Sequence, residues 1–351
     1  MKSKIPLKGM TPEELRLLMR ETGQPEYRAK QIFNWMYNHL CDSFDEMQNI
    51  PKALRNLLSE KTILNTLDYF NSEKSEETGT TKYLFKTKDD NLVETVVIPE
   101  GRRITLCLST QVGCPLDCKF CATGLMGYKK NLTAGEIFDQ YKYIQKHFDG
   151  GRITNIVYMG MGEPLLNFRN TVKSLRIFGE EMTTGITLKK ITVSTAGISP
   201  KIKELADTGL DVKLAFSLHS CFEDIRSLIM PVNHKYSLEE NISALKYYTK
   251  KTSTRITFEY VMLKDINDRP EDIKALVKLC SLFPSKINLI PFNSLKHMNP
   301  EGLAAELKPT RKEKIFEFAE RLREKNITVM VRLTQGDDIA AACGQLAIKN
   351  N

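Results

Sequence analysis

Gln111-Val-Gly-Cys114-Pro-Leu-Asp-Cys118-Lys-Phe-Cys121-Ala-Thr-Gly124 sets three cysteines four and three residues apart in a short loop bounded by glycine and proline. The loop follows a strand-like run at 104–110. Buried free cysteine behaves as a small hydrophobe, but these three are interrupted by Asp117 and Lys119 and make a poor core. As ligands they are one short for structural zinc, whose sites close with four. Soft thiolates select iron–sulfur chemistry, and three of them on a 4Fe–4S cluster leave one iron open. An amino acid's amine and carboxylate would fill that iron as a chelate. The rival reading is zinc with a distant fourth ligand, for which Cys107, Cys221, Cys343 and five histidines are available.

Downstream of the loop, strand-like and helical runs alternate. The strands are expected at 104–110, 153–159, 190–195, 212–218, 256–262 and 286–291. Helices are expected at 133–147 (capping box Thr133/Glu136), 170–178, 237–248 (box Ser237/Glu240) and 270–282, which opens on Pro270. Such alternation predicts an α/β fold with a parallel sheet. Six units instead of eight predict a partial (βα)6 barrel, open on one side to a large substrate. A further helix at 310–325 (box Thr310/Glu313) leads to a strand-like run at 327–333 and a Gly- and Ala-rich tail at 335–346.

Upstream, the apolar period is two. Strands at 82–86 and 92–98, joined by Lys88-Asp-Asp-Asn91, predict a β-hairpin linker. The first 65 residues read as helical. Thr11-Pro-Glu-Glu14 is a helix start, Ala29, Ile32, Phe33, Met36 and Tyr37 form an apolar stripe, and a third helix follows Pro51. The expected division is a helical module at 1–65, the hairpin linker at 66–100, a core at 101–300, and a C-terminal helix, strand and tail at 301–351.

Composition narrows the class. With 351 residues, 41% of them hydrophobic, the chain can bury a sizeable core. No apolar run approaches a membrane span, and Met-Lys-Ser-Lys-Ile-Pro lacks the apolar stretch of a secretory signal. Eight cysteines in such a chain are too sparse for a disulfide scaffold and point to the reducing cytoplasm. The net charge of +8 is compatible with a polyanionic partner. Lys2, Lys4, Lys8, Arg16, Arg20, Arg28 and Lys30 of the helical module read either as a solvated face or as phosphate contacts.

Ligands of parallel α/β folds sit at the C-terminal edge of the strands, and each strand here ends in polar residues. The first feeds the cysteine loop. The second runs into Met159-Gly-Met-Gly-Glu-Pro164, where glycines permit close backbone approach and Glu163 offers an anion for an amine. Others end in Ser194-Thr-Ala-Gly197, Ser217-Leu-His219 and Pro291-Phe-Asn293. Singly these residues cap helices; converging, they form a cofactor mouth. His219 has a competing reading as a zinc ligand. Cys107 lies mid-strand, and Cys343 sits in the tail between Ala342 and Gly344, small neighbours that leave its sulfur approachable.

The cysteine motif, with Phe120 before its last member, resembles the signature of the radical S-adenosylmethionine (SAM) superfamily. Together with G-M-G-E-P-L-L-N, S-T-A-G, S-L-H, N-L-I-P-F-N and G-D-D-I-A-A-A-C-G-Q-L, it resembles the RlmN/Cfr family of RNA methyltransferases over nearly the whole chain. The resemblance implies a 4Fe–4S cluster on Cys114, Cys118 and Cys121, and two SAM molecules per turnover. It implies SAM contacts at Gly162, Glu163, Ser194, Ser217, Leu218, His219 and Asn293. Cys343 then takes a methyl group, a 5′-deoxyadenosyl radical removes hydrogen from it, and the carbon radical adds to adenine. Cys107 matches the resolving cysteine and would form a disulfide with Cys343; Glu94 matches the proton acceptor, although alternation alone would put it on the wet face of a hairpin. The implied partners are 23S rRNA, tRNA and a one-electron reductant such as flavodoxin, for a monomer with no membrane attachment. Gly336-Asp337-Asp338 and Pro291-Phe292-Asn293 favour methylation of adenine C2 over the Cfr-like C8. Two other classes stand beside this one: a radical SAM enzyme of small metabolites, and a non-catalytic zinc-bearing RNA-binding protein.

Overall fold

A computed structural model describes residues 4–183 and 185–348. Lys2 lies outside them. Three helices, α1 (Pro12–Glu21), α2 (Tyr27–Tyr37) and α3 (Lys52–Lys61), form the N-terminal module. The Thr11 hydroxyl accepts from the Glu14 amide, and the Glu14 carboxylate accepts from the Thr11 amide at 2.8 Å, which closes the expected box. The whole apolar stripe of α2 is buried.

Ten strands make one sheet that follows chain order from edge to edge. They are β1 (Leu67–Lys74), β2 (Thr81–Thr87), β3 (Leu92–Glu100), β4 (Arg103–Cys107), β5 (Asn155–Tyr158), β6 (Ile191–Thr195), β7 (Lys213–Ser217), β8 (Ile256–Met262), β9 (Ser285–Pro291) and β10 (Val329–Val331). From β4 onward every pairing is parallel, and from β1 to β4 every pairing is antiparallel. The six expected parallel strands are all present, and the run at 327–333 adds a seventh. The hairpin joins the parallel sheet through β4, and it gains an unforeseen third strand. β1 escaped the reading because only Leu67 of its eight residues is buried; an exposed edge strand carries no alternation to read. Every residue of β8 is buried, as expected where both faces of a parallel strand are covered.

The crossover helices include α4 (Ala134–His147), α5 (Phe168–Gly179), α6 (Ser199–Asp207), α7 (Glu223–Ile229), α8 (Leu238–Thr252) and α9 (Pro270–Cys280), with α10 (Lys312–Arg323) near the end. Thr133 and Ser237 cap α4 and α8 as expected. The Thr310/Glu313 box does not form. Thr310 instead donates to the buried carboxylate of Asp268 at 2.9 Å, whose other oxygen accepts from the Asp265 amide and pairs with Lys314. Among the described residues no helix is long and apolar enough to cross a membrane.

The N-terminal module is tightly docked on α4. Lys8, expected at the surface, is fully buried; its Nζ donates to the Met36 carbonyl at 3.1 Å and lies 3.9 Å from Asp139. Burial lowers its pKa to about 8, with Asp139 opposing the shift, so Lys8 is no phosphate contact. Asp42 reaches Lys142 and Lys146 from the module's other side. Between these clamps Gly9 and Gly135 meet backbone to backbone. A Cβ on Gly135 would stand 2.4 Å from the Lys8 carbonyl oxygen. Gly135→Ala is therefore expected to lower the unfolding free energy by about 2 kcal/mol, read from urea denaturation. A variant with the wild-type midpoint would show that this contact does not hold the module.

Candidate active site

At the C-terminal ends of the parallel strands lies a cavity of ≈180 Å³. Cys114, Cys118 and Cys121 line it, as do Gly162, Glu163, Ser194, Ser217, His219, Asn293 and Cys343. Leu218 does not. Its side chain is fully buried, and its amide and carbonyl are engaged with Glu259 and Arg226.

Each polar group is set by its neighbours. The Glu163 carboxylate accepts from the Leu165 amide at 2.9 Å and from the Ala196 amide at 2.7 Å, so it staples the glycine loop to the end of β6. Burial still raises its pKa to about 7. Gly162 has φ +95°, and a Cβ there would lie 2.4 Å from the Gln111 Cβ. Its lack of a side chain serves packing against the strand that feeds the cysteine loop. His219 also has positive φ, +55°. Its Nδ1 accepts from the Val261 amide at 3.0 Å, which puts the ring proton on Nε2. Burial, with Arg226 nearby, lowers its pKa to about 3, and its ring meets Phe120 edge-on at 4.5 Å.

The tail closes over this mouth. The Ala122 amide donates to the Gly344 carbonyl at 2.7 Å, the Thr123 hydroxyl to the Leu346 carbonyl at 2.6 Å, and Asn293 Nδ2 to the Cys343 carbonyl at 3.0 Å. Cys343 is exposed, but into the recess these contacts enclose, and that enclosure raises its thiol pKa. Cys107, at the junction of β3, β4 and β5, is buried. Burial first, then the charge of Cys343, pushes its thiol up to about 12. The two cysteines line one small cavity of ≈50 Å³ together with Met159 and Arg332.

Glu94 is elsewhere. It is buried on β3, not on a wet face, with Lys82 Nζ 3.7 Å from its carboxylate. Burial raises its pKa against the pull of Lys82. It faces an outer cavity of ≈470 Å³, shared with Asp337, Asp338 and Gln345 on the far side of the tail. The structure does not bring it into the cavity that Cys343 and the three loop cysteines share.

Three charged residues at this site were not foreseen. Glu259 interrupts the apolar run of β8 and lines the main cavity; burial raises its pKa to about 7, opposed by Arg332 and by a hydrogen bond from Asn288. A carboxylate inside an otherwise apolar central strand was the signal. Arg332 follows β10 and lines both inner cavities, a strand-end position that the strand-edge rule covers. Arg226 on α7 is fully buried, and a short helix with several charges offers no sign of that.

The donor set fits an iron–sulfur cluster. Burial raises all three loop thiols, Cys114 to about 12, and the charges of its companions add to the shift of Cys114 and Cys118. Three bare thiolates here would repel one another, and an iron core supplies the positive charge that lets them ionise. Among the described residues no three His, Cys, Asp or Glu side chains are grouped to hold a metal ion.

The sequence matches the radical SAM superfamily over residues 108–280 and the ribosomal RNA large subunit methyltransferase N-terminal domain over 5–64. It is 42% identical to the dual-specificity RNA methyltransferase RlmN of Alcanivorax borkumensis, over 98% of this chain and 90% of the relative. It is 43% identical to the probable dual-specificity RNA methyltransferase RlmN of Thermotoga neapolitana, over 98% and 97%. The chain belongs to the RlmN family. The crystal structure of a radical SAM methyltransferase from Sphaerobacter thermophilus superposes with a TM-score of 0.90 at 39% identity, covering 97% of this chain and 98% of that one. Membership makes the chain a radical SAM RNA methyltransferase and implies a 4Fe–4S cluster and SAM. It sets aside the zinc-bearing and small-metabolite readings.

Glu259 gives the RlmN site a pH signature. Its folded pKa, about 7, stands above the ordinary 4.5. The native state therefore holds its proton more tightly than the unfolded state, and this contribution to stability is lost as pH rises from about 4.5 to 7. Glu259→Gln removes it. In urea denaturation of cluster-free protein, the variant should lose less stability than wild type between about pH 4.5 and pH 8. Parallel profiles would mean that Glu259 is not held protonated.

Proposed function

We propose that this enzyme methylates C2 of an adenosine in the peptidyl-transferase region of 23S rRNA and of the adenosine 3′ of the anticodon in tRNAs. It acts in the cytoplasm as a monomer, with electrons from a flavodoxin-like donor. The observation that carries this reading is the pairing of Cys107 and Cys343 at one small cavity, adjoining the cavity of the three loop cysteines. An electron-poor ring carbon cannot attack a sulfonium methyl group, so a protein thiol has to carry the methyl and deliver it as a carbon radical.

Cys114, Cys118 and Cys121 would hold the cluster, and Gly162, Glu163, Ser194, Ser217, His219 and Asn293 would border SAM; Leu218 contributes through its backbone. A cluster held there would supply the electron for reductive cleavage of SAM to an organic radical able to accept a hydrogen atom. Cys343 acts first as a thiolate, forming a bond to the methyl carbon of one SAM while the sulfonium–carbon bond breaks. The S-methyl group later gives up a hydrogen atom, its carbon bonds to C2 of the adenine, and the ring radical so formed passes its unpaired electron to a one-electron acceptor. Glu94 takes the proton from C2; its position beyond the tail requires the tail segment at 337–345 to shift when a flipped base enters. The Cys107 thiolate then attacks the Cys343 sulfur, forming a disulfide as the bond to the methylene carbon breaks; that carbon keeps the electron pair and takes up a proton to become the methyl group, and an external dithiol reduces the disulfide. The helical module at 1–65 serves folded RNA, which is recognised by shape and unpaired bases.

Nucleoside mass spectrometry of rRNA and tRNA from a deletion strain tests the substrate. Loss of 2-methyladenosine from both is expected; loss of 8-methyladenosine in its place would overturn the C2 assignment. With purified protein, Cys343→Ala should abolish methylation, and Cys107→Ala should leave enzyme covalently attached to RNA on denaturing gels. Normal turnover by Cys107→Ala would remove its resolving role.

A further inference from the structure

Arg226 is fully buried yet has no carboxylate partner. Its Nε donates to the Leu218 carbonyl at 3.2 Å, its Nη2 to the carbonyls of Ala196 at 2.6 Å and Ser217 at 3.1 Å, and its Nη1 to Asn233 Oδ1. Its plane lies over Phe216 with 5.1 Å to the ring centroid. Every one of these partners is neutral, and among the described residues no carboxylate lies within 4.0 Å of the guanidinium. Burying a cation without an anion is costly, and carbonyl dipoles recover only part of that cost.

Two sources of negative charge lie further out. Glu223 is one group away: the Asn233 amide bridges to its Oε2 at 2.5 Å, while its Oε1 accepts from the Leu238 amide at 2.8 Å. The other source is the cysteine loop. Ala196 and Ser217, whose carbonyls Arg226 binds, line the cavity with Cys118, and the Lys119 amide donates to the Ile229 carbonyl at 2.9 Å, tying the loop to α7. Burial lowers the pKa of Arg226 to about 10, against the pull of Cys118 and Glu223.

We propose that Arg226 is the fixed positive charge beneath the cysteine loop that offsets the charge of a cluster on Cys114, Cys118 and Cys121 and sets the potential at which it takes up its electron. A 4Fe–4S core on three thiolates is anionic when oxidised and gains one further negative charge on accepting one electron from an external donor; no bond of the protein forms or breaks. A cation buried nearby in low dielectric favours the reduced form. The inference rests on the cluster reading above.

The test is a redox titration with dithionite of the reconstituted full-length protein, followed by visible absorption and electron paramagnetic resonance. Arg226→Met should shift the one-electron equilibrium at least tenfold toward the oxidised cluster, about 59 mV. Arg226→Lys should stay nearer wild type, although it loses the fork of hydrogen bonds. Glu223→Gln keeps the guanidinium and removes the anion behind it, so its shift should run in the opposite direction. If Arg226 only ties strand ends together, Glu223→Gln will leave the potential unmoved, and that result overturns the proposal even where Arg226→Met fails to fold. A loaded Arg226→Met protein at the wild-type potential overturns it equally. Wild-type protein that takes up no iron and sulfide would bring down the cluster reading and this inference together.

Discussion

One hydrogen bond joins the two halves of the chemistry: the Ala122 amide donates to the Gly344 carbonyl at 2.7 Å. Ala122 follows the last loop cysteine, and Gly344 follows the tail cysteine. The contact therefore fixes the tail thiol relative to the three loop thiols across more than two hundred residues of chain. It sits at a helix start, where an amide has no intrahelical acceptor. It also demands glycine. Gly344 has φ +82°, and a Cβ there would press on the Phe120 carbonyl at 3.0 Å. Asn293 and Thr123 clasp the carbonyls on either side, so the tail holds its position through backbone groups and leaves the Cys343 side chain free for chemistry.

Around that contact the site is built from ionisable groups taken out of water. Glu163, Glu259, Arg226 and His219 are all buried at or beside the cavity wall. Each is held mainly by backbone amides, carbonyls or neutral side chains, not by a close ion pair. Such groups are destabilising in an empty protein and pre-organised for a charged occupant. A cluster and a sulfonium bring charges of opposite sign into one small volume, and fixed dipoles can serve both without rearrangement.

The sequence made the barrel legible because parallel strands buried on both faces alternate with capped helices. β8 and the boxes at Thr133 and Ser237 announce themselves locally. The thiols were legible for another reason, since Cys114, Cys118 and Cys121 form a contiguous motif whose spacing is itself chemistry. What could not be read locally is whatever the fold brings from far away. β1 is an exposed edge, Lys8 is buried only because Asp139 of α4 comes to meet it, and Arg226 vanishes under strand ends that precede it in the chain. Thr310 shows a local signal overruled: its capping box is intact in sequence, and a buried carboxylate takes its hydroxyl.

Glu94 marks the limit in a different way. Its sequence position matches a family role, yet it opens on the outer cavity, with Gln345 and Ala347 lining the same space. The Gln345 amide donates to Asp337 at 2.7 Å and to the Ser294 carbonyl at 3.2 Å, and Lys82 donates to the Ile339 carbonyl at 2.6 Å. This outer strap is half-buried: Asp337 and Ser294 are exposed, while Gln345 and Ile339 are buried. The inner contacts fall on the tail's own carbonyls, at Cys343, Gly344 and Leu346. The tail is thus fixed on its inner side through backbone carbonyls, which leaves the Cys343 thiol unencumbered, and on its outer side partly through the side chain of Gln345.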